Sequence, residues 1–141
     1  MKKIAVVYWS GTGNTGAMAD AILKGIKQAG AEAEVFWPND FSADMTANYD
    51  AIAFGCSAQG AETLEEGEFE PMFAACEPVL NGKTVALFGS YGWGDGEWMR
   101  SWEDRCKAAG MQLAEESLII NDMPDEDGLA LCRAFGAQLA V

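Results

Sequence analysis

Between an apolar run and a helical pattern lie Ser10-Gly11-Thr12-Gly13-Asn14-Thr15, with more donors than a turn needs. The first N–H groups of a helix lack internal partners, and its dipole adds partial positive charge there. Gly11 and Gly13 let backbone approach an anion closely, and Ser10, Thr12, Thr15 and Asn14 add side-chain donors. The loop holds no lysine or arginine, so it reads as a neutral phosphate cage made of oriented dipoles. An ordinary N-cap accounts for one such residue, but not for four with two glycines. Gly11, Gly13 and Gly16 also satisfy G-x-G-x-x-G, the dinucleotide fingerprint. The hydroxyl cluster favours a terminal monophosphate instead, whose three oxygens want many donors. The G-x-x-x-x-G-K-[ST] pattern of an ATP loop is absent.

Two further loops draw attention. One is Gly55-Cys56-Ser57-Ala58-Gln59-Gly60-Ala61-Glu62; the other is Gly89-Ser90-Tyr91-Gly92-Trp93-Gly94-Asp95-Gly96-Glu97. Aromatic rings in so glycine-rich a segment either cap the core or stack on something flat. A flat, phosphate-bearing ligand explains the rings and the phosphate loop together.

The elements that must hold these loops alternate along the chain. Apolar runs at Lys3–Trp9, Ala33–Trp37, Asp50–Gly55, Lys83–Phe88 and Gln112–Ile120 have strand length. Between them, helical spacing links Met18, Ile22, Ile26 and Ala29, then Phe69, Met72, Phe73, Cys76 and Leu80, then Trp98, Trp102, Cys106 and Ala109. Leu131, Phe135 and Leu139 predict a closing helix, and Pro38–Asn48 reads as irregular with one helical turn. This order predicts an α/β fold, a doubly wound parallel sheet covered by helices on both faces. Such sheets bind ligands beyond the carboxyl ends of their strands, where the strand order reverses. The loops after strands one, three and four are therefore where chemistry is expected.

Composition narrows the function. The 141 residues suit one domain, read as 1–141, and carry 22 acids against 9 bases, a formal charge of −13. Nucleic acid is repelled by such a charge, whereas basic partners are drawn to it. Histidine is absent and the four cysteines are widely spaced, which argues against a metal site and against triad chemistry. The thiols read as reduced and buried. No segment is apolar enough for membrane insertion, and no cleavage site follows the first apolar run, so the expected compartment is the cytoplasm.

Tyr8-Trp9-Ser10-Gly11-Thr12-Gly13-Asn14-Thr15, Gly55-Cys56-Ser57-Ala58, Glu68-Phe69-Glu70-Pro71 and Ala86-Leu87-Phe88-Gly89-Ser90-Tyr91-Gly92-Trp93-Gly94-Asp95-Gly96 together resemble the short-chain flavodoxins, nearly end to end. The resemblance implies a flavodoxin-like five-stranded sheet in the order 2-1-3-4-5, without the insertion that interrupts strand five in longer members. It also implies bound FMN. Ser10, Gly11, Thr12, Gly13, Asn14 and Thr15 would surround the phosphate, with Ser57 beside them. Trp93 would stack on the outer face of the ring, next to Gly94. Gly60 would lie against the N5 edge. Ala58, Gln59, Ala61 and Glu62, with Ser90, Tyr91 and Gly92, would meet the ring's other edges. Members similar to this chain carry methionine where Gln59 stands and an acidic or small polar residue where Ala61 stands.

The implied function is that of a low-potential one-electron carrier, not an enzyme, working mainly between the flavin semiquinone and hydroquinone. A peptide turn at Gly60 would stabilise the half-reduced state. Carboxylates Glu62, Glu65, Glu66, Glu68, Glu70, Asp95 and Glu97 flank the loops. Each charge about 8 Å from a reduced ring costs roughly 0.5 kcal/mol in a water-like medium. The expected partners are redox proteins with basic docking surfaces, met by a monomer. An FMN-dependent NAD(P)H or quinone reductase is the alternative; a phosphoreceiver domain is disfavoured, because Cys56-Ser57 stands where its aspartate would be.

Overall fold

The computed structural model describes residues 2–60 and 62–141. Strand β1 (Lys3–Trp9) leads into helix α1 (Asn14–Gln28), then β2 (Glu32–Phe36), two short 3-10 turns, and β3 (Ala51–Cys56). Next come α2 (Phe69–Cys76), β4 (Thr84–Tyr91), α3 (Glu97–Ala108), β5 (Gln112–Leu113), β6 (Leu118–Asn121) and α4 (Glu126–Ala140). All pairings are parallel, in the order β2-β1-β3-β4, with β5 and β6 both on the free edge of β4. The fold is the five-stranded order 2-1-3-4-5 with its edge strand in two pieces.

Side chains alternate across the pleat, so one strand feeds two cores. Val7, Ile52, Phe54 and Leu87 point to the side of α2 and α3, where Phe69, Phe73, Trp98 and Trp102 pack. Ile4, Val6, Ala53 and Phe88 point to the side of α1 and α4, against Met18, Ile22 and Phe135. Phe54, Phe69, Phe73 and Trp102 form an edge-to-face cluster with centroids 5.1–6.4 Å apart. Each ring buried this way contributes roughly 1.5–3 kcal/mol. On the other side the two helices touch backbone to backbone: a Cβ at Gly25 would stand 2.0 Å from the Arg133 carbonyl oxygen, and one at Gly136 would stand 2.2 Å from that of Ile22. Any larger residue at either position separates α1 from α4.

Three expectations need correction. Strand four does not stop at Phe88; it continues through Gly89 and Ser90 to Tyr91, because β6 supplies ladder partners there, Ser90 opposite Ile120 and Tyr91 opposite Asn121. The edge strand predicted over Gln112–Ile120 is broken at 114–117. Between Val85↔Leu113 and Phe88↔Leu118, β4 advances three residues and the edge five. An even excess bulges the strand without flipping its side chains to the opposite face. The helix predicted to reach Leu80 ends at Cys76 in a 3-10 turn, Glu77–Val79. Pro78 lacks the N–H that a further α-turn needs.

Arg105 ties α3 to α2. Its guanidinium meets Glu70 at 2.6 and 2.7 Å and Glu77 at 2.9 and 3.0 Å, and lies 4.9 Å above the Phe73 ring. Two carboxylates on one guanidinium raise the Arg105 pKa further above its ordinary value. The four cysteines are buried and unpaired, and burial pushes the Cys56 thiol up to about 12, so it stays protonated.

Candidate functional site

In the order β2-β1-β3 the chain crosses the sheet in opposite directions from β1, which leaves a crevice at the carboxyl ends of β1 and β3. The loop after β1 and the loop after β3 flank that crevice, and the end of β4 supplies its third side. A cavity of about 360 Å³ sits there. From the first loop it is lined by Gly11, Thr12 and Asn14; from the second by Ser57, Ala58 and Gln59; from the third by Ser90, Tyr91, Gly92 and Trp93. The size suits one small cofactor. A more open groove of about 460 Å³ runs along α2 and α3, but Glu70 and Glu77 already neutralise its cation, Arg105.

The first loop is shaped from within. Ser10 Oγ accepts from the N–H groups of Gly13 and Gly16, both at 3.1 Å. Gly13 caps α1 at φ +95°, a region closed to most side chains. With Ser10 so engaged, the N–H groups of Thr12, Asn14 and Thr15 have no acceptor among the described residues. They stand at the N-terminus of a 15-residue helix whose first turn holds no acid. Three unclaimed donors at a helix dipole fit a phosphate dianion.

The Thr15 N–H is one of these three donors, while its side chain turns to the neighbouring loops. It is fully buried, and its Oγ1 lies 2.6 Å from Ser57 Oγ and 3.1 Å from Ser90 Oγ; the Ser90 N–H also donates to it at 3.2 Å. One hydroxyl thus fastens the loops after β1 and β3 and the end of β4 to one another. Ser10 and Thr15 build the cradle, while Thr12 and Asn14 face the cavity.

The second loop turns at Gln59. The Glu62 N–H donates to the Gln59 carbonyl at 2.8 Å, and the Gln59 side-chain amide donates to the Ser57 carbonyl at 3.2 Å. Gly60 is exposed, and among the described residues beyond its chain neighbours nothing lies within 4 Å of where its Cβ would stand. Ala61 falls outside the described residues. Glu62 adopts φ +56° and reaches across to the third loop, where its carboxylate accepts from the Trp98 N–H at 2.9 Å. Gly94 holds φ +85°, which favours glycine, and a Cβ there would stand 2.1 Å from that carboxylate. Trp93 stands 63 % exposed on the rim, whereas Tyr91 turns inward against Trp98, centroids 5.6 Å apart. An exposed indole over a cavity suits stacking on a flat ring.

Most of the flanking acids have other employment. Glu65 accepts from the N–H groups of Gly67, Glu68 and Phe69 at 2.7–2.9 Å, capping α2. Its burial favours protonation, but the three N–H bonds outweigh that and lower its pKa. Glu68 accepts from the Trp37 indole, and Glu70 pairs with Arg105. Asp95 pairs with Arg100 at 2.9 Å, and that bond and charge lower its pKa. Of these acids only Glu70 and Asp95 are paired with a cation; Glu62, Glu65 and Glu68 serve structure while keeping their charge.

Sequence reasoning missed two lining residues. Trp9, the last residue of β1, folds its indole over Gly11, where a Cβ would stand 2.9 Å from the ring. Asp122, just past β6, closes the far side, with φ +58° and its N–H on the Tyr91 carbonyl at 2.8 Å. The Asn121-Asp122 pair ahead of Pro124 was the available signal for a left-handed turn.

Comparison with known proteins agrees with this geometry. Residues 6–136 match the model of the Flavodoxin family. The chain is 47 % identical over 135 residues to a flavodoxin of Clostridium beijerinckii, covering 96 % of this chain and 97 % of that one. It is 48 % identical over 122 residues to a flavodoxin of Megasphaera elsdenii, covering 86 % and 88 %. The solution structure of two-electron reduced Megasphaera elsdenii flavodoxin superposes with a TM-score of 0.88 at 44 % identity, over 97 % of this chain and 98 % of that one. Sequence, fold and crevice converge: this chain belongs to the flavodoxin family.

Proposed function

We propose that the chain binds one FMN and carries single electrons between redox proteins, as a low-potential cytoplasmic monomer. The observation that carries this reading is one cavity with a neutral phosphate cradle at one end and an exposed tryptophan at the other. FMN, when bound, supplies two successive one-electron steps. The protein holds and tunes it. The N–H groups of Thr12, Asn14 and Thr15 would take the phosphate, helped by the side chains of Thr12 and Asn14. Trp93 would cover the ring and exclude water. Gly60 would let its peptide turn toward the ring edge with little backbone strain. The related Megasphaera elsdenii protein, solved in a two-electron reduced state, supports a redox role.

The net charge of −13 favours partners with basic docking surfaces and disfavours nucleic acid. Among the described residues no helix is long and apolar enough to cross a membrane. Spectra recorded during stepwise reduction of the purified protein test the reading. Two separated one-electron stages are expected, with sluggish reaction toward NADH and NADPH. A colourless protein that ignores added FMN would overturn it, and rapid turnover with a nicotinamide would make the protein a reductase.

A further inference from the structure

The cavity wall contains one carboxylate among the described residues, and it belongs to Asp122. None of the seven acids of the flanking loops lines the cavity: Glu70 and Asp95 are paired with Arg105 and Arg100, and Glu62, Glu65 and Glu68, held by N–H groups, keep their charge outside its wall. Asp122 Oδ1 lies 3.6 Å from where a Cβ on Gly92 would stand, beside the segment that carries Trp93. Its backbone is fixed: the N–H donates to the Tyr91 carbonyl at 2.8 Å, and the neighbouring Asn121 amide donates to the same oxygen at 3.2 Å. Its left-handed φ of +58° is a conformation that aspartate and asparagine adopt more readily than other non-glycine residues.

We infer that Asp122 is the residue through which this chain sets its reducing power, its carboxylate opposing a negative charge on whatever ring occupies the cavity. The inference rests on the reading that FMN is that occupant. A charge in the wall acts at shorter range than the acids outside it, and because Asp122 is exposed its effect is screened by salt. It leaves a neutral ring undisturbed and disfavours an anionic one, so its effect appears in the last reduction step alone. Asp122 is a positioning charge and takes no part in bond making.

The test uses the full chain, stripped of flavin, titrated with FMN in its oxidised and its fully reduced form. Asp122→Asn keeps the shape and the backbone conformation and removes the charge. Oxidised FMN should bind it within about twofold of the original chain, and fully reduced FMN about tenfold more tightly. For one electron, tenfold corresponds to a rise of about 59 mV in the second midpoint potential. Asp122→Glu should restore most of the original value, Glu97→Gln should change little, and added salt should shrink the Asp122→Asn effect. Equal shifts from Asp122→Asn and Glu97→Gln, or none from Asp122→Asn, overturn the inference while leaving FMN binding intact. A chain that binds no FMN in either state overturns the function proposed above, and this inference with it.

Discussion

The two ends of the cavity are built on opposite principles. At the end proposed for the phosphate the lining residues Gly11, Thr12 and Asn14 are neutral, and the buried Thr15 hydroxyl locks three segments together. At the other end the groups are exposed or charged: Trp93 on the rim and Asp122 in the wall. A rigid, uncharged end can supply affinity that does not change with the charge of the ring. An open, charged end can favour one redox state over another. The difference assigns holding to one end and tuning to the other, and each assignment can be broken separately.

The largest effect is expected at the cradle. Gly13→Val forces a β-branched residue into a φ of +95° at the helix cap and should lower FMN affinity on the order of a hundredfold or more. Flavin fluorescence quenching on titration measures it, and affinity kept within severalfold would show that the cap is not part of the grip. At the ring end, Trp93→Ala should cost about 1–3 kcal/mol of binding, the worth of one stacked ring, with fold stability nearly unchanged. Thermal melts of the flavin-free protein alongside the same titration separate the two quantities.

Thr15→Val sharpens the comparison through the apoprotein. Removing the shared hydroxyl leaves Ser57, Ser90 and the Ser90 N–H short of a partner, and should cost about 1–3 kcal/mol in urea unfolding even without ligand. A loss seen only with FMN present would place Thr15 at the phosphate instead.

The smallest expected effect lies outside the cavity and serves as its control. Burial raises the Glu115 carboxyl to about 7, and its Oε2 is buried without a partner among the described residues. The folded state therefore holds a proton that the unfolded chain releases near pH 4.3. Stability from this group is full below that pH and declines as pH rises toward about 7. Glu115→Gln should flatten the decline and stabilise the protein by on the order of 1 kcal/mol at pH 8, discounted for partial exposure, with little change at pH 4. Melts across pH 4–8 that run parallel for both proteins would contradict it.

Much of this architecture was legible in the chain. The cradle announced itself because its glycines and hydroxyls are contiguous, and Trp93 because glycines surround it. Both are local signals. The roles of Ser10 and Thr15 were not legible as such, since a hydroxyl that folds back to Gly16 or joins Ser57 and Ser90 has the same sequence as one that faces a ligand. The break in the edge strand at 114–117 hid for a similar reason: an even excess of residues preserves the alternation of side chains. Asp122 was missed because it reaches the cavity only through the pairing of β6 with β4, a contact between distant parts of the chain.

The division between a holding end and a tuning end is tested most directly by titrating the flavin-free protein with FMN and with riboflavin in parallel, both oxidised. The ring is common to the two, and only the phosphate differs. Three amide donors to a dianion at a helix N-terminus should make FMN bind roughly a thousandfold more tightly or better. Equal affinities for the two flavins would mean that residues 10–15 do not grip the phosphate, and the account of this site would fail.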